Sequence, residues 1–297
     1  MSIYIDFHVL QTVPPSCVNR DDMGSPKTAV YGGSVRARVS SQSWKHAMRE
    51  EFKRLFTEEE LGLRTKNVVE MVEKEMFAAG GDPDDKKCNE LAAKALELAG
   101  IKLKSAKKDE PVKAEALFFM SKKQAKAIAE HALELDLKAK ESKDILKKDL
   151  IDNPSVDIAL FGRMAASDPT LNYDAAAQVA HAISTHAVQN EYDYFTAVDD
   201  LQNEDNAGAG HLGTVEFNSS TLYRYATVNA SELVKTIGAG STAETVKKFG
   251  QAFICSMPTG KENSFANRTF PDAVYVTKRS DQTVTLCGAF EKPLKLS

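Results

Sequence analysis

Residues 57–160 form a block whose composition differs from that of the sequence on either side. The block is rich in Ala, Lys, Glu and Leu, as in NELAAKALELAG and KKQAKAIAEHALELDLKAK. These four residue types have high helix propensity, and Gly80, Gly81 and the region of Pro111 divide the block into several helices. The sequence therefore predicts a helical insertion whose charged faces are exposed to solvent.

The sequence outside this block contains the alternating pattern of β-strands. Apolar and polar residues alternate over residues 3–9, which predicts a strand with one buried face. Further strands are predicted at residues 221–228 and 273–277. A projecting hairpin is predicted where residues 195–198 and 213–217 flank the Asn-, Asp- and Gly-rich loop LQNEDNAGAGH.

Helices and one long loop are predicted between these strands. A helix is expected from Trp44 onwards, after the N-cap candidates of residues 40–43, and another over residues 231–252 with a break at Gly238. The small-residue stretch DAAAQVAHAISTHAV predicts a buried helix, and residues 11–29 predict a long loop. Strands and helices that share one core, with the helical block inserted, predict an α+β fold.

Positive charge is concentrated near the N-terminus. Residues 1–56 hold 8 Lys and Arg against 5 Asp and Glu, although the whole chain has a net charge of −4. This segment has a strand with two arginines on one side, and a serine-rich helix start follows it, an arrangement that suits phosphate groups. The candidate phosphate ligands in it are Arg20, Lys27, Arg36, Arg38, Gln42, Lys45 and Arg49.

Patterns for metals, cofactors and membranes are weak. The four cysteines are scattered, and the sequence has no HExxH, no phosphate-binding loop and no dinucleotide fingerprint, so neither a metal nor a cofactor is predicted. No apolar run approaches the ~18–20 residues that span a bilayer, and the first residues do not resemble a signal peptide. We therefore expect a cytoplasmic protein without a membrane partner.

Two pairs of adjacent carboxylates leave one catalytic alternative open. Asp21-Asp22 and Asp199-Asp200 could hold a divalent ion for phosphodiester cleavage. Such pairs in loops more often cap turns, and no GxSxG elbow or reactive-cysteine motif supports another chemistry. The sequence favours a protein that is not an enzyme.

The hairpin carries aromatic and apolar residues whose role the sequence leaves open. Tyr194, Phe195, Val198, Leu212 and Phe217 are compatible with ordinary packing. A hairpin that projects from a core is also a suitable wedge between stacked bases. Both interpretations are kept as expectations.

Several long segments of the sequence resemble the CasC family, which forms the RNA-binding backbone of Cascade, the type I-E CRISPR surveillance complex. The resemblance follows the order of the family to about residues 289–291. The segments are SCVNRDDMGSPKTAVYGGSVRARVSSQSWKHAMR (16–49), VDIALFGRMA (156–165), HAISTH (181–186), YFTAVDDL (194–201) and HLGTVEFNSSTLYRYA (211–226).

The resemblance implies three structural parts. It implies an RRM-like (ferredoxin-like) palm from residues 1–56, 161–190 and 223–297, with a helical fingers domain at 57–160 and a thumb hairpin at 191–222. It also implies that several copies stack head to tail on one crRNA with other Cascade subunits and present the guide to target DNA.

The resemblance further implies individual roles. Family members of type I complexes are not nucleases, whereas related type III backbone subunits cut RNA with a loop aspartate, for which Asp21 or Asp22 would be the equivalent here. Met164 is expected to wedge between bases, and Phe195, Thr196 and Leu212 are expected at a kink in the RNA. Phosphate and sugar contacts are expected from Arg20, Lys27, Ser40, Gln42, Lys45, Arg49 and Arg163.

Overall fold

The computed structural model describes residues 2–81, 85–104, 111–197 and 211–295, with the backbone alone at 85, 86, 197, 211 and 212. Its contacts divide the chain into two units. The helical unit comprises Met1–Ile3, Phe52–Gln178 and Val228–Lys248, and the sheet unit comprises Tyr4–Glu51, Val179–Thr227 and Phe249–Ser297.

Strands and helices alternate along both units. The described strands are β1 (Tyr4–Ser16), β2 (Thr28–Tyr31), β3 (Ser34–Val39), β4 (Gly62–Thr65), β5 (Leu103–Lys104), β6 (Lys113–Ala114), β7 (Phe118–Ser121), β8 (Ala177–Val179), β9 (Ala182–Ser184), β10 (Glu191–Ala197), β11 (His211–Asn229) and β12 (Ala273–Arg279). The described helices are α1 (Ser41–Leu55), α2 (Val68–Ala78), α3 (Asp85–Leu98), α4 (Lys122–Glu134), α5 (Lys140–Ile151), α6 (Val156–Phe161), α7 (Ala230–Ile237), α8 (Ala239–Cys255) and α9 (Glu262–Phe265).

One large sheet contains strands from distant parts of the sequence. Its order is β12-β1-β11-β9-β3-β2, and β8 and β10 pair with β11 beside this path. The pairs β1–β12, β9–β11, β3–β9, β2–β3 and β10–β11 are all antiparallel. The chain is therefore a mixed α/β protein with an antiparallel sheet, which confirms the predicted α+β class and the strands predicted at both ends of the sequence.

The core of the sheet unit forms between the sheet and helices α1 and α8. The period of two in β1 directs Phe7 inwards, where its ring centroid lies 5.8 Å from that of Phe249 and 6.4 Å from that of Phe253. Trp44 of α1 is buried, and the guanidinium carbon of the buried Arg224 lies 3.7 Å from its ring centroid. Burial lowers the pKa of Arg224 to about 9.

Two sequence expectations are wrong in this unit. The stretch DAAAQVAHAISTHAV does not form a helix: it contains β8 and β9, and β9 pairs with β11 at Ser184 and with β3 at Ala182 and Ile183. Hydrogen bonding on both sides of β9 outweighs the helix propensity of its small residues. The long loop expected at residues 11–29 is shorter, since β1 continues to Ser16 and β2 begins at Thr28.

The helical unit is built largely from the central block, in which the prediction of several helices is confirmed. Helices α2 to α6 lie there together with the short strands β4 to β7. Helices α2 to α5 each contribute an apolar stripe to one core, whose fully buried members include Val72, Met76, Leu96, Ile128 and Leu146. No described helix is both long enough and apolar enough to cross a bilayer.

The segment after β12 covers part of the sheet unit. Its backbone nitrogens donate at Val284 to Asp6 Oδ2 (3.2 Å) and at Leu286 to the hydroxyl of Tyr223 (2.8 Å). A Cβ on Gly32, whose φ is +59°, would lie 1.7 Å from the carbonyl oxygen of Glu291. The segment therefore packs directly on the β2–β3 turn, which requires glycine at this position.

Candidate nucleic-acid interface

The N-terminus of α1 is held by three side chains of the sheet unit. Ser40 caps the helix, because its Oγ accepts from Ser43 N at 3.4 Å. Ser40 N donates to Asn19 Oδ1 at 2.9 Å, and Ser41 N donates to His181 Nδ1 at 3.3 Å. The positive end of a 15-residue helix is thus presented beside a loop and a histidine.

Cationic side chains lie around the same histidine. Arg38 Nη1 lies 3.4 Å from His181 Nδ1, and Arg38 Nε donates to the carbonyl of Thr28 at 3.0 Å. The pKa of His181 is lowered by burial and by the charges of Arg38 and Lys27. The charges of Arg38 and Lys27 therefore create a region of positive potential in which a phosphate would be stabilised.

Further candidates continue this region along α1. Lys45 and Arg49 are half-buried and stand one turn apart, and burial lowers the pKa of Lys45. Gln42 in the first turn is exposed. The structure thus places these three predicted residues on the same helix as the cap, with the amide of Gln42 open to solvent.

The loop between β1 and β2 brings Arg20 to the surface. Arg20 forms an isolated β-bridge with Pro26, and its side chain is exposed. Asp21 Oδ1 accepts from the backbone nitrogens of Met23 (2.9 Å) and Ser25 (3.0 Å), so this carboxylate stabilises a turn. Among the described residues, no group of three or more His, Cys, Asp or Glu side chains could hold a metal ion.

The predicted hairpin is formed by β10 and the first part of β11. Phe195 lies opposite Gly213 and Thr196 opposite Leu212. A Cβ on Gly213 would lie 2.3 Å from the Phe195 ring, so the ring occupies the space that glycine leaves above the partner strand. Phe195 and Thr196 are exposed, whereas the side chain of Leu212 and the hairpin tip at 198–210 lie outside the described residues.

Arg36 does not lie on the surface, so the expectation that it is a phosphate ligand is wrong. Its side chain is fully buried, and Nη1 donates to Ser184 O (2.9 Å) while Nη2 donates to Phe290 O (2.9 Å) and Glu291 O (3.0 Å). The alternation of β3 directs Arg36 to the face that the C-terminal segment covers. Its guanidinium group therefore binds backbone oxygens inside the fold.

Arg163 is also inside the protein, which corrects its expected contact with a phosphate. Its guanidinium donates to four oxygens of the helical unit: Leu171 O (2.9 Å), Phe119 O (3.2 Å), Gln124 Oε1 (3.3 Å) and Leu150 O (2.6 Å). Burial lowers the pKa of Arg163 to about 10, which leaves it protonated at neutral pH.

The next residue, Met164, has the opposite environment. Its side chain is 83% exposed, so it is not the core residue that its apolar character favours. Gly162, with φ of +76°, ends α6 in a conformation that suits glycine, and Arg163 anchors the chain immediately before Met164. Met164 is thereby held on the surface of the helical unit.

Sequence reasoning missed two residues of this interface, Asn19 and His181. Asn19 adjoins the recognised basic segment, and His181 begins the segment HAISTH that resembles the CasC family. Neither has a spacing pattern that predicts its contact with α1. Their role follows from tertiary packing, which places them at the helix N-terminus.

Comparison with known proteins gives a consistent result. A family model for CT1975-like protein, a Cas family, matches residues 5–297. A solved structure titled "CRISPR RNA-guided surveillance complex, pre-nicking" contains a chain 35% identical to this one, with a TM-score of 0.84 over 98% of this chain and 83% of that chain. A chain of a "CRISPR RNA-guided surveillance complex" is 31% identical, with a TM-score of 0.61 over 99% of this chain and 76% of that chain. No curated protein matches significantly.

Proposed function

This chain belongs to the CT1975-like family of Cas proteins, and on that premise we propose that it is the non-catalytic subunit that holds crRNA in a type I-E CRISPR complex. The similar solved chains come from RNA-guided surveillance complexes, which supports an association with guide RNA and other Cascade subunits. The observation that carries the proposal is the convergence of Lys27, Arg38 and the α1 N-terminus around His181.

The chemistry of this surface fits a guide whose sequence varies. Cations and helix N–H groups bind phosphates without reading bases, so specificity passes to base pairing between guide and target DNA. Arg20 on the adjacent loop and Gln42, Lys45 and Arg49 on α1 extend the surface along a strand of RNA. Each copy contributes few ionic contacts, and stacking of copies along one guide raises the total affinity.

The remaining parts follow from the family resemblance. We assign the palm to residues 1–56, 161–190 and 223–297, the fingers to 57–160 and the thumb to 191–222. Copies join head to tail in the cytoplasm, an arrangement that continues as an open filament along the guide. Met164 and the thumb residues Phe195, Thr196 and Leu212 act at the kinks of the RNA; the exposure of Met164 and Phe195 supports this.

The test is the binding of single-stranded RNA to the purified protein as a function of salt. The double substitution Arg38→Ala/Lys45→Ala should weaken binding about tenfold at low salt, equally for unrelated sequences, and reduce the slope of log K against log salt by about 1.4. The matched control is Lys235→Ala/Lys247→Ala, which removes the same charge from exposed positions on α7 and α8.

Three results would contradict the proposal. The first is wild-type protein that binds no RNA in dilute buffer, and the second is an equal loss in the control variant. The third is RNA that is shortened in Mg²⁺ but intact in EDTA or with Asp22→Ala, which would favour the ribonuclease alternative. Intact RNA in all conditions, with the loss of binding confined to Arg38→Ala/Lys45→Ala, is the expected outcome.

A further inference from the structure

Two exposed tyrosines lie on strand β10 of the hairpin. Tyr192 and Tyr194 of β10 are 68% and 64% exposed. Residues two apart on a strand point to the same side, so both rings lie on one face. Large aromatic side chains this exposed on a two-stranded ribbon are unusual in a folded unit and indicate a binding surface.

This face differs chemically from the opposite face of the hairpin. The register places Tyr192 opposite Glu216 and Tyr194 opposite Thr214, so these residues share the tyrosine face. Phe195 lies on the other face, over Gly213, together with the exposed carboxylates of Glu191 and Asp193. The one carboxylate on the tyrosine face, that of Glu216, is only half exposed and accepts two hydrogen bonds from the protein, so a polyanion is repelled less by this face than by the second face with its two exposed carboxylates.

The spacing of the two tyrosines suits one planar base. Two residues of an antiparallel strand span about 6.8 Å. Stacked nucleotides are separated by about 3.4 Å, so a base with a ring on each side also needs about 6.8 Å. One nucleobase therefore fits between the rings of Tyr192 and Tyr194, with both of its faces covered.

The tyrosine face is connected to the basic loop. Glu216, opposite Tyr192, accepts a hydrogen bond from Ser25 Oγ at 2.9 Å, and Ser25 belongs to the loop that carries Arg20. Asn190 Nδ2 donates to the other carboxylate oxygen of Glu216 at 3.0 Å, and Asn218 Nδ2 donates to Asn190 Oδ1 at 2.9 Å. These bonds fix the end of the hairpin that carries Asn190 and Asn218 beside the phosphate-binding surface.

We propose that Tyr192 and Tyr194 form a clamp that stacks on a single nucleobase of the RNA whose phosphates are bound by the basic surface. This inference depends on the proposed function and adds a base-binding site to it, distinct from Phe195 and Thr196. Stacking accepts any of the four bases, since each has an aromatic face, so the clamp does not read the guide.

The experiment compares an oligouridine with a ribose-phosphate strand of the same length that lacks bases. Tyr192→Ala and Tyr194→Ala should each weaken binding of oligouridine about tenfold and leave binding of the baseless strand unchanged. Tyr192→Phe and Tyr194→Phe retain the ring and should stay within about twofold of the wild type. Tyr275→Ala on β12, which removes a tyrosine that is 61% exposed, is the matched control and should change neither affinity.

The outcomes separate this inference from the proposed function. If Arg38→Ala/Lys45→Ala weakens binding but the tyrosine variants do not, the clamp is refuted and the proposed function stands. Equal losses on both strands, accompanied by smaller assemblies in sedimentation, would show that the tyrosines contact a neighbouring copy, and would also refute the clamp. Wild-type protein that binds neither strand refutes both.

Discussion

Arg38 and Arg163 are both arginines in segments that resemble an RNA-binding family, yet they lie in opposite environments. Arg38 in the sheet unit is half-buried beside the α1 N-terminus and His181. Arg163 in the helical unit is buried, and four protein oxygens accept its hydrogen bonds. The comparison teaches that backbone carbonyls inside a fold can bind the guanidinium group of an arginine, which then does not reach a phosphate at the surface.

The largest effect that tests this comparison is expected from Arg163→Met. The substitution keeps much of the side-chain volume but removes the hydrogen bonds that the guanidinium donates to the buried oxygens of Leu171, Phe119 and Leu150. We expect the free energy of unfolding to fall by about 3 kcal/mol, measured by urea denaturation. Met164→Ala next to it is the control and should stay within about 0.5 kcal/mol. A stable Arg163→Met variant with weakened RNA binding would show that Arg163 binds RNA and does not stabilise the fold.

Arg36→Met should have the next largest effect. The change removes the donors to Ser184, Phe290 and Glu291, and we expect a loss of about 2 kcal/mol in unfolding free energy. Hydrogen exchange should become faster in residues 284–291, because Arg36 ties this segment to the sheet. Arg38→Met, two residues further along the same strand, should leave this exchange unchanged. Unchanged exchange in Arg36→Met would show that other contacts hold the segment.

A smaller effect is expected for a pair at the surface of the helical unit. Lys147 Nζ and Thr170 Oγ1 donate to Asp168 at 2.6 and 2.7 Å, and these bonds lower the pKa of Asp168 to about 2. Because the folded-state pKa is below the ordinary value, the pair stabilises the protein above about pH 4 and loses this contribution as pH falls towards 2.

The measurement is the difference in unfolding free energy between wild type and Asp168→Asn across that range. Solvent screening limits this difference to about 1 kcal/mol at neutral pH, and it should vanish near pH 2. Asparagine can still cap the turn at Thr170, so the pH dependence isolates the charge. A difference that persists unchanged at pH 2 would exclude the ionised carboxylate as its source.

Much of the fold follows from local patterns in the sequence. The alternation near Phe7 predicts β1, the apolar stripe after Trp44 predicts α1, and the break at Gly238 separates α7 from α8. The stretch around His181 is different, because its small residues suit a helix or a strand and the pairing with β3 and β11 decides between them.

The candidate site was predictable to the extent that it depends on residue type. Lys45 and Arg49 could be identified from their charge and spacing, and the structure places them on one helix. The burial of Arg36 could not be predicted, because it depends on Phe290 and Glu291, more than two hundred positions away in the sequence. Contacts between such distant segments leave no periodic signal near either partner.

The strand order of the large sheet also determines when it can be completed during synthesis. β1 lies between β11 and β12, so both of its neighbours are translated long after it. Most of the helical unit, by contrast, comes from one continuous stretch, Phe52–Gln178. We therefore expect helices to assemble on the ribosome while β1 still awaits its partners, which makes this early strand the part of the nascent chain most exposed to aggregation.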